Sequence, residues 1–298
     1  MPVRPRLLLT LCSVLLLIAA CGSSGPQGTG TPHPVTPTAS PATANHTPEP
    51  AGDIGDAPVH IPVAGQAPQA GVPWYLAIGD SITFGFSADP ARFGTNSSWA
   101  LQLQDLLAGS GRPWKLYDTA CPSETTTTYF SHCPRRELVP FLAGQSQHDA
   151  ALAAIHAHLA DLRLIVVDLG SNDLLRALRS GENVVTAYGA LRVNLDKILG
   201  ELTQAAPSVP LVVANYYDPL ENSQPATVTQ LGLVNDVVRS LAASHHARLA
   251  DFFAAINTPS PPDPDLGKYV DLAHFDIHPT VAGHARLAQA ALAALGAA

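Results

Sequence analysis

Basic charge is scarce in this chain: 16 Lys and Arg stand against 24 Asp and Glu, for a formal net charge of −8. Nothing in it offers the positive surface that a phosphate backbone requires, so a nucleic-acid partner is not expected. No internal repeat is present, which excludes a solenoid or array. The apolar core near the N-terminus, Leu7 to Ala20, is about 14 residues against the roughly 20 that cross a bilayer as a permanent helix, so a retained span is not expected either. Cysteine is also sparse, at four in 298 residues.

What is present is unevenly distributed. Residues 1–21, "MPVRPRLLLTLCSVLLLIAAC", place Arg4 and Arg6 before an apolar segment and end in small residues and a cysteine, the layout of a secretory signal. The ending "LIAAC" resembles the bacterial lipobox, and that resemblance implies that Cys21 is lipidated and becomes the mature N-terminus, anchoring the chain to a membrane. An ordinary signal peptide with a chance cysteine is the alternative. Residues 22–71 consist of Pro, Thr, Ser, Ala and Gly with almost no large apolar side chain, so they cannot bury enough surface to offset the entropy of ordering. They are expected to form a disordered tether, biased toward extended conformations by proline. Thr-Pro pairs in it suit a wall-spanning or an O-glycosylated segment equally.

Residues 72–298 are expected to form one globular domain, monomeric by default. The cysteines sort by compartment: Cys12 leaves with the signal, Cys21 carries lipid, and Cys121 and Cys133 remain in an exported domain and are expected to pair as a disulfide. Closing a loop of about a dozen residues contributes on the order of 3 kcal/mol in the chain-entropy model.

Short apolar runs ending in turn chemistry predict strands at Tyr75–Ile78, Lys115–Tyr117, Leu164–Leu169, Leu211–Asn215 and Arg248–Ala250. Helical spacing marks Ser98–Leu107, His148–Leu159, Val184–Thr203, Val228–Ser244 and Thr280–Leu295. Strands alternating with helices argue for a parallel sheet covered on both faces, with ligands at the carboxyl ends of its strands. That rule selects Gly79-Asp80-Ser81, the segment "DTACPSETTTT", and Gly170-Ser171-Asn172-Asp173.

A serine at the end of a central strand, as in "WYLAIGDSITFGF", is a helix cap or a nucleophile. A nucleophile needs a base and fixed donors for the oxyanion. The backbone N–H of Ser81, the loop at Ser123 and the Asn172 amide can supply donors, and His278 in "HFDIHPTVAGH" can supply the base. Pro279 biases the histidine toward extended backbone, and Thr280 can cap the final helix. The G-x-S-x-G elbow of the α/β-hydrolases is absent.

With "GDSIT", "GSND" and "DIHPT" in that order, Trp74 to Ala298 resembles the SGNH/GDSL hydrolases. The resemblance implies a three-layer α/β/α sandwich on a five-stranded parallel sheet, of flavodoxin-like type. It implies Ser81 as nucleophile, His278 as base, and an oxyanion hole formed by the N–H of Ser81, the N–H at Ser123 and the side chain of Asn172. Two positions depart from the family pattern. Ser123 stands where glycine is usual, though any non-proline residue supplies a backbone N–H. Phe275 stands where the commonest pattern has the acid, three residues before the histidine. Asp276, two residues before, shares a face with His278 in an extended segment and can orient it, as can a main-chain carbonyl near Phe275.

The implied activity is hydrolysis of a carboxylic ester, of a small molecule or a glycan, through an acyl-enzyme and without a cofactor. Removal of O-acetyl groups from a polysaccharide by the same site is an alternative, and a catalytically silent surface-binding module is another. Asp80 and Asp173 are expected to shape loops. The 12 histidines do not form a ligand pattern: His156 and His158 point to different helical faces, and Pro279 interrupts the series His274, His278 and His284, so no metal is expected.

Overall fold

Five short strands with alternating side chains form the centre of a computed structural model that describes residues 66–87, 97–257 and 262–296. Residues 1–21 with Cys21, and the tether as far as residue 65, lie outside the described residues. The strands are β1 (Trp74–Gly79), β2 (Lys115–Asp118), β3 (Leu162–Asp168), β4 (Leu211–Ala214) and β5 (Arg248–Ala250), all parallel in the order β2-β1-β3-β4-β5. The chain leaves β1 for one edge and returns on its other side with β3. That reversal creates a switch point at the carboxyl ends of β1 and β3, where Gly79 is paired with Asp168.

Period-two alternation sends Trp74, Leu76 and Ile78 to one face of the sheet and Tyr75 and Ala77 to the other. The first face is covered by α3 (Gln147–His158), α4 (Ser171–Ser180), α5 (Val184–Ala205) and α6 (Ala226–Ser244), through residues such as Ile155, Leu195 and Val234. The second face is covered by α2 (Trp99–Gly109), α7 (Phe252–Ile256), α8 (Leu266–Tyr269) and α9 (Val281–Ala294), through Trp99, Leu103, Phe252 and Leu287. The result is the three-layer α/β/α sandwich. A four-residue helix, α1 (Ser81–Phe84), follows β1 directly.

Helix starts follow local chemistry. Ser98, Ser146, Asn183 and Thr280 each accept a backbone N–H from the first turn of α2, α3, α5 and α9. The helix α4 was not among the sequence-predicted segments, because "SNDLLRALRS" opens on three polar residues and buries only Asp173, Leu174 and Ala177. Cys121 and Cys133 are joined in a disulfide with Cα atoms 5.8 Å apart. Both are buried against Val139, Leu142 and Ala150. Gly71, at the end of the expected tether, donates its N–H to Asp161 at 2.7 Å. Among the described residues no helix is long and apolar enough to cross a membrane.

Candidate active site

The turn from β1 into α1 is built by three consecutive residues with separate tasks. A Cβ on Gly79 would stand 2.0 Å from Thr83 Oγ1, so only glycine lets α1 fold back over the end of the strand. Asp80 caps α1 by accepting the Ile82 N–H at 2.9 Å. Ser81 is then the first residue of the helix, where the backbone N–H is one of the orphan donors of a helix start. Gly85, at φ +80°, ends the helix after a single turn.

His278 reaches Ser81 from the other end of the chain. An antiparallel bridge between Val270 and Pro279 holds its segment, with the Asp271 N–H donating to His278 O at 3.0 Å and the Thr280 N–H to Tyr269 O at 2.8 Å. A Cβ on Gly283, next along α9, would stand 2.0 Å from Tyr269 O, so glycine is needed for this close approach. Ser81 Oγ lies 2.9 Å from His278 Nε2. On the far side of the ring, Asp276 Oδ1 accepts from His278 Nδ1 at 2.5 Å and from the His278 backbone N–H at 3.1 Å. The turn that brings Asp276 into place passes through Phe275, which has φ +54° and is 99% exposed. Asp276 and His278 are nearly buried, and the Phe86 ring packs at 4.9 Å from the imidazole.

The third set of groups surrounds the donors. Gly170 precedes α4 at φ +134°, and a Cβ there would meet Tyr216 Oη at 2.7 Å. Asn172 follows in the first turn of α4, and its Nδ2 donates to Asp80 Oδ2 and to Glu124 O, each at 3.0 Å. An oxyanion would compete with these two acceptors for the amide hydrogens. Ser123 has φ +66°, the left-handed conformation that favours glycine, and its N–H has no acceptor among the described residues. Asp173 ties α4 to the same loop by accepting from the Thr126 N–H at 2.8 Å and from Thr126 Oγ1 at 2.6 Å.

Further buried residues brace this arrangement, and of these the sequence had pointed only to Asp80. Gln147 accepts the Gly79 N–H at 3.0 Å and donates to Gly79 O at 2.9 Å and to Glu124 at 3.3 Å, joining the end of β1 to the Ser123 loop. Its only local signal was its place after Ser146 at the start of α3. Asp168 accepts from Thr83 Oγ1 at 3.0 Å beneath the turn. Burial and the neighbouring Asp80 charge push Asp168 well above the usual carboxylate range. Burial also raises Asp80, against the hydrogen bonds it accepts from Ser171 and Ile82. Glu124 is pushed up to about 8 by burial.

Ser81, Asn172 and His278 line a cleft with about 670 Å³ of empty volume, part of it open to solvent. Ser123 is not among the lining residues. Tyr216 and Tyr217 form part of the wall, with their hydroxyls donated to Leu169 O and, at 2.7 Å, to Ile277 O. Among the described residues no group of three His, Cys, Asp or Glu side chains is arranged to hold a metal ion. His284 instead accepts the first N–H of α2 from Trp99 at 3.2 Å, and His245 pairs with Asp196 at 2.7 Å.

The family model for GDSL-like lipases and acylhydrolases matches residues 77–286. Solved structures share the fold at low identity. A GDSL-like lipase from Parabacteroides merdae is 16% identical with a TM-score of 0.55, over 78% of this chain and 100% of that one. The acetylxylan esterase Axe2 from Geobacillus stearothermophilus is 20% identical with a TM-score of 0.53, over 76% of this chain and 95% of that one. No curated protein sequence matches the chain.

Proposed function

Since this chain belongs to the GDSL-like lipase/acylhydrolase family and is a serine ester hydrolase, we propose that Ser81, His278 and Asp276 are its nucleophile, base and orienting acid. The observation that carries this reading is the continuous chain of hydrogen bonds from Ser81 Oγ through the imidazole to Asp276, at 2.9 and 2.5 Å. Asp276 holds the tautomer with the proton on Nδ1, leaving the Nε2 lone pair for the serine proton, and stabilises the imidazolium that forms.

Ser81 Oγ attacks the ester carbonyl as its proton passes to His278 Nε2. The carbonyl oxygen becomes an oxyanion held by the N–H groups of Ser81 and Ser123 and by the Asn172 amide. Collapse of the tetrahedral intermediate breaks the bond to the alcohol oxygen, which takes the proton from His278 and leaves an acyl-Ser81 ester. Water, deprotonated by His278, attacks that ester and regenerates the serine. These steps are complete with the chain's own groups and call on no cofactor.

The substrate is a small-molecule or glycan ester. The acetylxylan esterase among the structural neighbours keeps O-deacetylation of a polysaccharide as a second reading, since its fold is shared. In the proposed organisation residues 1–21 are a signal, Cys21 carries lipid on the outer face of a bacterial membrane, residues 22–71 are a tether and residues 72–298 the catalytic domain. The signal-like composition before Cys21 and the Pro/Thr-rich stretch after it support this.

Turnover of nitrophenyl esters by the purified protein tests the chemistry. Ser81→Ala and His278→Ala should each remove it while leaving thermal unfolding unchanged; retention of full rate in either would remove that residue from the mechanism. For localisation, the parent should partition with membranes and Cys21→Ser should not. Equal partitioning of the two would exclude the lipid anchor.

A further inference from the structure

The cleft does not stop at the reacting groups. From Ser81 and His278 it continues between α4 and α6, with Leu174, Leu175 and Leu178 on one side and Leu231 on the other. On α4 the spacings 174/178 and 175/178 put the three leucines on one side of the helix, next to the Asn172 amide. Leu178 is 40% exposed although it lines the cleft, so an apolar stripe runs from the reacting centre out to solvent. Tyr216 and Tyr217, in the wall of the cleft, contribute ring surface, because their hydroxyls are already donated to main-chain carbonyls.

We propose, resting on the ester-hydrolase reading above, that this trough is the acyl subsite, that Leu178 marks its outer end, and that the substrates are esters of medium-length linear fatty acids in preference to acetyl esters. The length follows from the helix. Leu178 lies six residues beyond Asn172, roughly 9 Å of helix rise, which an extended chain of on the order of seven or eight carbons spans. An acetyl group would leave the partly exposed Leu175 and the exposed Leu178 uncovered and gain nothing from them. Each methylene fully removed from water favours the transition state about fourfold, and about twofold where the trough is half open, so octanoyl should exceed acetyl in kcat/KM by roughly 60-fold or more.

The test is kcat/KM of the purified protein on nitrophenyl acetate, butyrate, hexanoate and octanoate at concentrations below aggregation, with Leu178→Glu and Leu233→Glu in parallel. Leu233 is 52% exposed on α6 and is not among the residues lining the cleft, so it controls for a surface charge as such. The expected result is a rising series for the parent and for Leu233→Glu, and at least a tenfold lower octanoate-to-acetate ratio for Leu178→Glu with an unchanged thermal midpoint. A flat or falling series with clear acetate turnover would overturn the acyl-trough inference and leave the hydrolase reading standing. So would a ratio that Leu178→Glu does not move. Absence of turnover on every ester, together with no reaction with a fluorophosphonate, would overturn the hydrolase reading itself.

Discussion

Replacing Ser123 by glycine should make the protein more stable without harming it. Ser123 is held at φ +66°, where an L-residue brings its Cβ against the following carbonyl at a cost of roughly 1–2 kcal/mol. Glycine removes that cost but loses more backbone freedom on folding, which returns roughly 0.4–1 kcal/mol to the unfolded state. The serine side chain is exposed and makes no hydrogen bond among the described residues, so little else is lost. At the middle of these ranges the net gain is about 0.8 kcal/mol. At roughly 2–4 °C per kcal/mol for a domain of this size, the thermal midpoint should rise by about 1–4 °C. Because the donor assigned to this position is a backbone N–H, kcat/KM on a nitrophenyl ester should stay within about threefold. The assay is paired thermal melts and ester kinetics with the disulfide intact. A lower midpoint would show that the left-handed conformation is not where the strain lies, and a tenfold loss of activity would show that the serine side chain itself takes part.

Asp276→Asn should lower kcat by about 10²-fold or more with little change in KM, since the amide cannot stabilise the imidazolium; a loss under tenfold would favour a main-chain carbonyl as the orienting group. Burial holds Asp118 at about 7 and Glu124 at about 8, above their ordinary values of 3.8 and 4.5. Their contribution to stability is therefore fully present below the unfolded pKa values and is lost as pH rises through about 7 and 8. Thermal midpoints should fall between about pH 5 and pH 8.5, and Glu124→Gln should flatten the upper part of that fall; a parent midpoint that rises with pH over this range would contradict the assignment. Removing the disulfide with Cys121→Ala and Cys133→Ala should cost roughly 2–4 kcal/mol in urea unfolding, and a change below about 1 kcal/mol would mean that the loop is held by its other contacts.

The sheet was legible because its signals are local. Leu164 to Leu169 and Leu211 to Asn215 read as buried strands from composition alone, and the observed β3 and β4 differ by one or two residues at their ends. The long helices carry their apolar spacing in sequence, so the segments Ser98–Leu107 and Thr280–Leu295 announced α2 and α9, the second with its cap. The helix α4 was not legible, since it opens on three polar residues and its Leu174, Leu175 and Leu178 line a cleft.

The placement of Asp276 beside His278 rested on period-two geometry, and the structure reaches it through a left-handed turn at Phe275 that the sequence did not suggest. Gln147 was invisible, because a glutamine that joins Gly79 to Glu124 is recognised only once the strand end and the loop are in the same place. Asp80 was expected to shape loops, but its partners were not legible: its carboxylate accepts from Ile82 in its own turn and from Ser171 and Asn172, 91 and 92 residues on. What sequence could not supply was long-range convergence; what it could supply was which strand ends would converge.

The measurement that bears most directly on the central claim is covalent labelling of the purified protein with a serine-reactive fluorophosphonate, followed by peptide mapping, for the parent, Ser81→Ala and His278→Ala. Label confined to the peptide containing Ser81, absent in Ser81→Ala and strongly slowed in His278→Ala, is the expected result. Label on another serine, or a folded parent that neither reacts nor turns over any ester, would contradict the assignment of Ser81 as the nucleophile.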